Sequence, residues 1–357
     1  MQKKNNDAQE KKNRIEWIDY AKGLGILFVY YGHLGNPPGR DWIYSFHMPL
    51  FFILSGMLIK LKNEQMNTLI ENIRKKARTI LYPYVSFSII LLTVSSILFF
   101  GIKYTSWIVR TKQQAFQNLY STLIGSGIGT LWFLIALFFG EIVLLWVLKN
   151  KIRLVCSFLI AFLSVILLWR FENDINALNY YVYEIARVYY LAVFSFLFVS
   201  VGYYLFGNIN KVIKCEKIMR SAIVFIGALV INVICVKLNI AVDLHNLEIG
   251  NPMLYFLGAL SGTICVILVC SHLNNLLLLD FFGKNSLLLM AINNMTIWNR
   301  ILLIIYLKIG IDHEVLYCIY MLIGLLIGSS IVCIFVKKYM KWIINIDCLK
   351  KERIIKG

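Results

Sequence analysis

Residues 80–102 read ILYPYVSFSIILLTVSSILFFGI, without one charged side chain. About 20 apolar residues carry a helix across the hydrocarbon core of a bilayer. Only a helix or a closed barrel satisfies its own backbone polar groups there. Outward from this stretch the same texture repeats. The 357 residues are 59% hydrophobic, with a mean hydropathy of +0.70. Ordinary soluble domains are about 45–50% apolar. The excess lies in long runs, near 20–36, 43–59, 80–101, 130–148, 154–169, 188–206, 221–237, 252–271, 285–307 and 315–336. The expected fold is therefore all-α: a polytopic membrane bundle of about ten transmembrane helices. The first run is the shortest in apolar terms, because Asp19 and Lys22 stand at its mouth. A charged tail before it and no small-residue cleavage site after it distinguish it from a secretory signal.

The formal net charge is +17. With ten spans and both termini cytoplasmic, 27 of the 36 Lys and Arg fall on the inner side, counting Lys22 with the N-terminal tail. Basic residues stay cytoplasmic during insertion, so topology accounts for the charge and no nucleic-acid partner is expected. The eight cysteines form no CxxC pair and mostly lie within spans. They read as small buried apolar residues rather than a metal site or disulfide framework. Residues 1–13, MQKKNNDAQEKKN, are too polar to build a core. Residues 342–357 form a second basic tail. Between them, KLKNEQMNTLIENIRKKART (60–79) places Leu69, Ile73 and Ala77 on one face, as a helix lying on the membrane surface would. In GSGIGTLWFL (125–134) three glycines precede the fourth span. No internal repeat of the transporter kind is visible.

Ionisable groups inside a span are costly and are functional candidates by default. The first two spans hold the densest set. Asp19 and Lys22 share a helix face at i and i+3, although snorkelling at the interface accounts for that pair as well. His33 follows Lys22 by eleven residues. That separation returns to nearly the same face, about 16 Å further along the helix. A short loop at 36–42 makes the first two spans antiparallel neighbours, so His33 and His47 come to one membrane level. Imidazole changes charge with small changes of surroundings, which suits proton transfer.

Taken in order, IDYAKGLGILFVYYGH, FHMPLFFILSG, RKKARTILYPY, GTLWFL, VDLHNLEIGNPMLYF and FFGKNSLLLM resemble acyltransferase family 3, integral membrane acyltransferases. Within it they are most similar to the branch named for fucose 4-O-acetylase. The resemblance runs from Ile18 to about Ile305, within one continuous membrane domain expected over 14–341. It implies transfer of an acyl group, usually acetyl, from cytoplasmic acetyl-CoA to a hydroxyl of an envelope glycan or its lipid-linked precursor. The family hallmark is a basic residue, ten residues, then histidine. Here these are Lys22 and His33, with Lys in place of the commoner Arg. The resemblance makes His33 catalytic and gives Lys22 a part in holding the donor, with Asp19 orienting or balancing Lys22. Arg74, Lys76 and Arg78 are expected to grip donor phosphates, where the family often has two arginines. Positive-inside topology is the competing account of that cluster. Acceptor contacts are expected from His47, Trp132, Asp243, Asn246, Asn251 and Asn293. A membrane-interface anchor is the other reading of Trp132. Relatives often carry a histidine where Asn293 and Asn294 stand. No metal is expected. Some relatives finish the transfer with an extracytoplasmic domain. None is expected here, so the chain completes the step itself or passes acetyl to a separate extracytoplasmic partner. Abundant Lys, Ile and Asn suggest the plasma membrane of a low-GC bacterium, and a capsule or exopolysaccharide acceptor. The competing function is a transporter or flippase for an envelope precursor.

Overall fold

The computed structural model describes residues 15–97, 111–213, 218–293, 296–309 and 313–344. The tail 1–13 and most of the tail 342–357 lie outside them. Helices are the regular elements among the described residues. Their one strand-like pairing is an isolated antiparallel bridge between Asp243 and Glu248. Among the described residues eight helical runs are long and apolar enough to cross a membrane: Arg40–Leu61, Leu69–Ser96, Lys112–Val147, Lys151–Arg170, Tyr180–Ile209, Met219–Leu238, Pro252–Ser271 and Glu314–Tyr339.

Two of the ten expected spans take another form. The first is α1 (Glu16–Gly32), a helix of 17 residues and about 25 Å. Asp19 is buried in it. The described residues of the ninth lie in α14 (Ser286–Ile292), with Asn293 as its C-cap, and α15 (Thr296–Ile309). Near the end of α14 the Thr130 hydroxyl donates to Met290 O at 2.7 Å, a carbonyl that lipid could not satisfy.

The remaining elements follow in order. A short helix α2 (Arg40–Tyr44) leads into α3 (His47–Leu61). The amphipathic α4 (Leu69–Lys76) starts at a capping box made by Thr68 and Glu71. It does not lie apart on the membrane surface as expected. It runs through a π-helical turn (Ala77–Leu81) straight into α5 (Tyr82–Ser96). Then come α6 (Lys112–Ile124), α7 (Trp132–Val147), α8 (Lys151–Arg170), α9 (Glu172–Asn176), α10 (Tyr180–Ile213), α11 (Ile218–Leu238), α12 (Pro252–Ser271), α13 (Leu277–Lys284) and, last, α16 (Glu314–Tyr339). Helix α6 was not foreseen. It occupies part of what reads as a loop.

The core gathers around α1, α3, α7, α10 and α12, where Tyr30, Phe46, Phe52, Phe194, Phe198 and Tyr255 are fully buried. Outer helices such as α8 and α11 turn Ile, Leu and Val outward, as lipid-facing surfaces do. Small residues set the closest crossings, the means by which membrane helices pack. A Cβ on Gly56 of α3 would overlap the Val199 carbonyl of α10, and one on Gly202 would overlap the Ile53 carbonyl in return. Helices α1 and α13 meet as closely, Gly283 against the Asp19 carbonyl.

Candidate active site

Helices α1 and α3 run antiparallel, with Gly25 against Phe51 and Gly32 against Tyr44. His33 ends α1 as its C-cap and His47 is the first residue of α3. Both therefore come to the same end of the bundle. They border a cavity of about 410 Å³, whose wall also includes Tyr44, Thr130, Trp132, Asp243, His245, Asn293 and Asn299. His33 is exposed to this space, whereas His47 is buried. The Tyr44 ring stands between them, its centroid 6.5 Å from His33 and 4.8 Å from His47.

Both imidazoles have a fixed tautomer. His33 Nδ1 lies 2.8 Å from Val29 O, and His47 Nδ1 lies 3.0 Å from Ile43 O. A carbonyl only accepts, so each Nδ1 carries the proton and each Nε2 keeps a lone pair. That is the form a general base needs.

The loop before α12 brings up a third imidazole. Val242, Leu244, Leu247 and Ile249 are buried and anchor it. Between them Asp243 caps a short turn by accepting from the backbone of His245 and Asn246. His245 faces Trp132, with centroids 5.7 Å apart. Trp132 is buried in the cavity wall, not set as an anchor at the lipid interface. The GSGIG turn explains its own glycines. Gly125, Gly127 and Gly129 all have φ between 57° and 87°, a region that suits glycine. The turn folds Ser126 fully inward and starts α7 at Trp132. Ser126 meets Glu184 and Arg187 of α10, which pair with each other at 2.6 Å. Arg187 Nη1 lies 3.0 Å from His245 Nε2. Burial, and then the Arg187 charge, push His245 down to about 3.

Of the residues expected from sequence, the structure thus brings together His33, His47, Trp132, Asp243 and Asn293. Asn246 is exposed and donates to Asp243. Asn251 caps α12, accepting from Met253 N and Leu254 N. Neither borders the cavity, because both side chains are engaged in shaping the loop. Asp19 and Lys22 do not border it either. They sit on α1 toward the opposite, basic end, beside α13.

That basic end carries Arg74, Lys76 and Arg78. Arg74 and Arg78 are exposed. Lys76 has a different use from the one expected. Its Nζ is 2.8 Å from Glu64 and 2.8 Å from Glu141, and Glu141 also accepts from Ser55. Burial alone would raise the Glu64 carboxyl. Lys76 and Lys75 outweigh it and hold that carboxyl below its ordinary range. An ammonium shared by two buried carboxylates has little left to offer a phosphate.

Sequence reading passed over Ser126, Glu184, Arg187, Tyr44 and Asn299. The available signal was EIAR (184–187), an acid and a base at i and i+3 within an apolar stretch. Among the described residues no group of three or more His, Cys, Asp or Glu is placed to hold a metal ion, the three cavity histidines included.

Residues 15–337 match the model of the acyltransferase domain family, Acyl_transf_3. The chain belongs to acyltransferase family 3. Compared with curated proteins and with solved structures, it finds no significant match in either set. Membership makes the protein a membrane acyltransferase.

Proposed function

We propose that the protein is an O-acetyltransferase of the bacterial plasma membrane. It would take acetyl from cytoplasmic acetyl-CoA and place it on a hydroxyl of a cell-surface glycan or lipid-linked precursor. The observation that carries this reading is the pair His33 and His47: each is tied through Nδ1 to a backbone carbonyl and stands at one cavity with its Nε2 lone pair left to accept a proton. In this scheme His33 Nε2 takes the proton of the acceptor hydroxyl as the oxygen attacks the acyl carbon. Expulsion of the thiolate then lets the imidazolium return that proton to sulfur. Trp132 offers a sugar face, and His47, Asn293 and Asp243 offer hydrogen-bond partners for its hydroxyls.

The donor's phosphates would be met at the other end. Arg74 and Arg78 are exposed one helical turn apart, outside the Glu64 and Glu141 pairs that hold Lys76, and a guanidinium can grip phosphate. Lys22, three turns below His33, would meet the donor between those arginines and the cavity, with Asp19 beside it. Asn246 and Asn251 act on the acceptor only through the loop they hold.

Ionisable side chains buried in the membrane helices, Asp19 and Glu141, also fit a second reading, a transporter or flippase for an envelope precursor. One assay separates the two. Purified protein in nanodiscs is given acetyl-CoA, with and without cell-envelope glycan extract, and free CoA is followed. Glycan-stimulated release that disappears in a folded His33→Ala variant supports acetyl transfer. No binding and no consumption of acetyl-CoA by the wild type removes it and favours transport.

A further inference from the structure

Arg187 is a buried guanidinium with its orientation fixed from two sides. Glu184 pairs with it, and Ser126 meets Nε at 3.0 Å. The remaining nitrogen, Nη1, is directed at His245, 3.0 Å from Nε2 and 3.5 Å from Nδ1. A guanidinium has only donors. Both ring nitrogens lie within 3.5 Å of Nη1, so the cation meets the ring as a whole, and a neutral ring keeps one N–H. A second proton would set two cations in contact within a poorly solvated site, at high cost.

His245 is thus kept neutral, with one ring N–H, on the wall it shares with His33 and His47. We infer that His245 is a further catalytic residue of acyl transfer, whose ring N–H hydrogen-bonds the acyl carbonyl oxygen as that oxygen becomes an oxyanion, and that Arg187 is the positioning residue that keeps it neutral. The inference rests on the cavity being the reacting centre. The acceptor oxygen forms its bond to the acyl carbon, its proton passes to His33 Nε2, and the carbonyl π pair moves onto oxygen. That charge is met by His245 N–H. When the pair returns, the C–S bond breaks, and the thiolate takes the proton from His33. His245 begins and ends with the same proton. A neutral donor backed by a fixed cation stabilises the anion without competing with His33 for the proton in transit.

The test uses the full chain in nanodiscs, acetyl-CoA and envelope glycan extract, with kcat and KM measured across pH. His245→Ala is expected to lower kcat by about 10²–10³-fold, the effect of one lost oxyanion donor, with KM for acetyl-CoA nearly unchanged. His245→Gln restores an N–H donor and recovers a large part of kcat. Arg187→Gln leaves the burial of His245 but removes the neighbouring cation, so the acid limb of the rate profile moves to higher pH than in the wild type. Independently, ¹⁵N-histidine spectra of the wild type, assigned by the signal lost in His245→Gln, show a neutral ring from pH 7 to pH 5. A kcat within threefold of wild type in folded His245→Ala overturns the inference, as does a wild-type His245 that titrates between pH 5 and pH 7. If His245→Ala does not fold, the Gln variant and the spectra decide. A wild type that never releases CoA removes the acetyl-CoA reading itself, a different failure from an active wild type indifferent to His245.

Discussion

His33 closes α1 and His47 opens α3, so two imidazoles at one cavity sit at opposite poles of their helices. A helix C-terminus favours positive charge and an N-terminus disfavours it, each by roughly 0.3–1 kcal/mol. An imidazolium is therefore better placed at His33 than at His47. His33 is also the one exposed to the cavity.

The two histidines separate by mutation on that account. His33→Ala is expected to remove at least about 10²-fold of kcat, within the usual range for a lost general base. His47→Gln, which retains a polar group at the wall, is expected to act mainly on KM for the glycan acceptor. Steady-state rates with acceptor varied at saturating acetyl-CoA decide it. Equal loss of kcat in both variants refutes the assignment.

Lys76 and its arginine neighbours also part company. Lys76→Met leaves Glu141 buried without its cation, and breaking a buried pair in this way costs about 3–5 kcal/mol. A lowered melting temperature in detergent, partly recovered by adding Glu141→Gln, is the expected result. Arg78→Ala instead leaves the melting temperature unchanged and raises KM for acetyl-CoA several-fold. A Lys76→Met variant that melts like wild type but binds donor poorly would return Lys76 to the phosphates.

The crossing of α3 and α10 tolerates no side chain. Gly56→Ala pushes a methyl into the Val199 carbonyl, and overpacking of this kind costs about 1–3 kcal/mol. Gly207→Ala, on the same α10, meets nothing within 4 Å and serves as the control. Thermal unfolding followed by circular dichroism compares them. A Gly56→Ala protein as stable as Gly207→Ala contradicts this close crossing.

Acid weakens the fold in two stages. The folded value of His245, about 3, lies below its ordinary 6.5. As pH falls below about 6.5 the unfolded chain takes up the proton first, so stability declines from there toward pH 3. Glu64 is held below its ordinary 4.5, so its contribution is present above that pH and lost as pH drops beneath it. Melting temperatures between pH 7 and pH 4 should fall, less steeply in His245→Gln from the first step. A pH-independent melting temperature over that range contradicts the placement of His245.

Much of this was legible in the sequence. Runs of apolar residues fix a helical bundle, because backbone in lipid has no other partner than itself. The spacing of His33 and His47 across a seven-residue loop places both at one level, and the family pattern follows from residues in order. What sequence left open depends on neighbours distant along the chain. It could not tell that Lys76 would find Glu64 and Glu141 and so be withdrawn from phosphates. It could not join Ser126, Glu184, Arg187 and His245, which come from three separate stretches. Nor could it show that Asn251 caps a helix while Asn293 borders a cavity. Hydropathy is a property of each segment alone, so sequence determined the bundle. Partners of buried polar groups are chosen by packing between segments, so only the tertiary structure decided which charges are structural and which face the cavity.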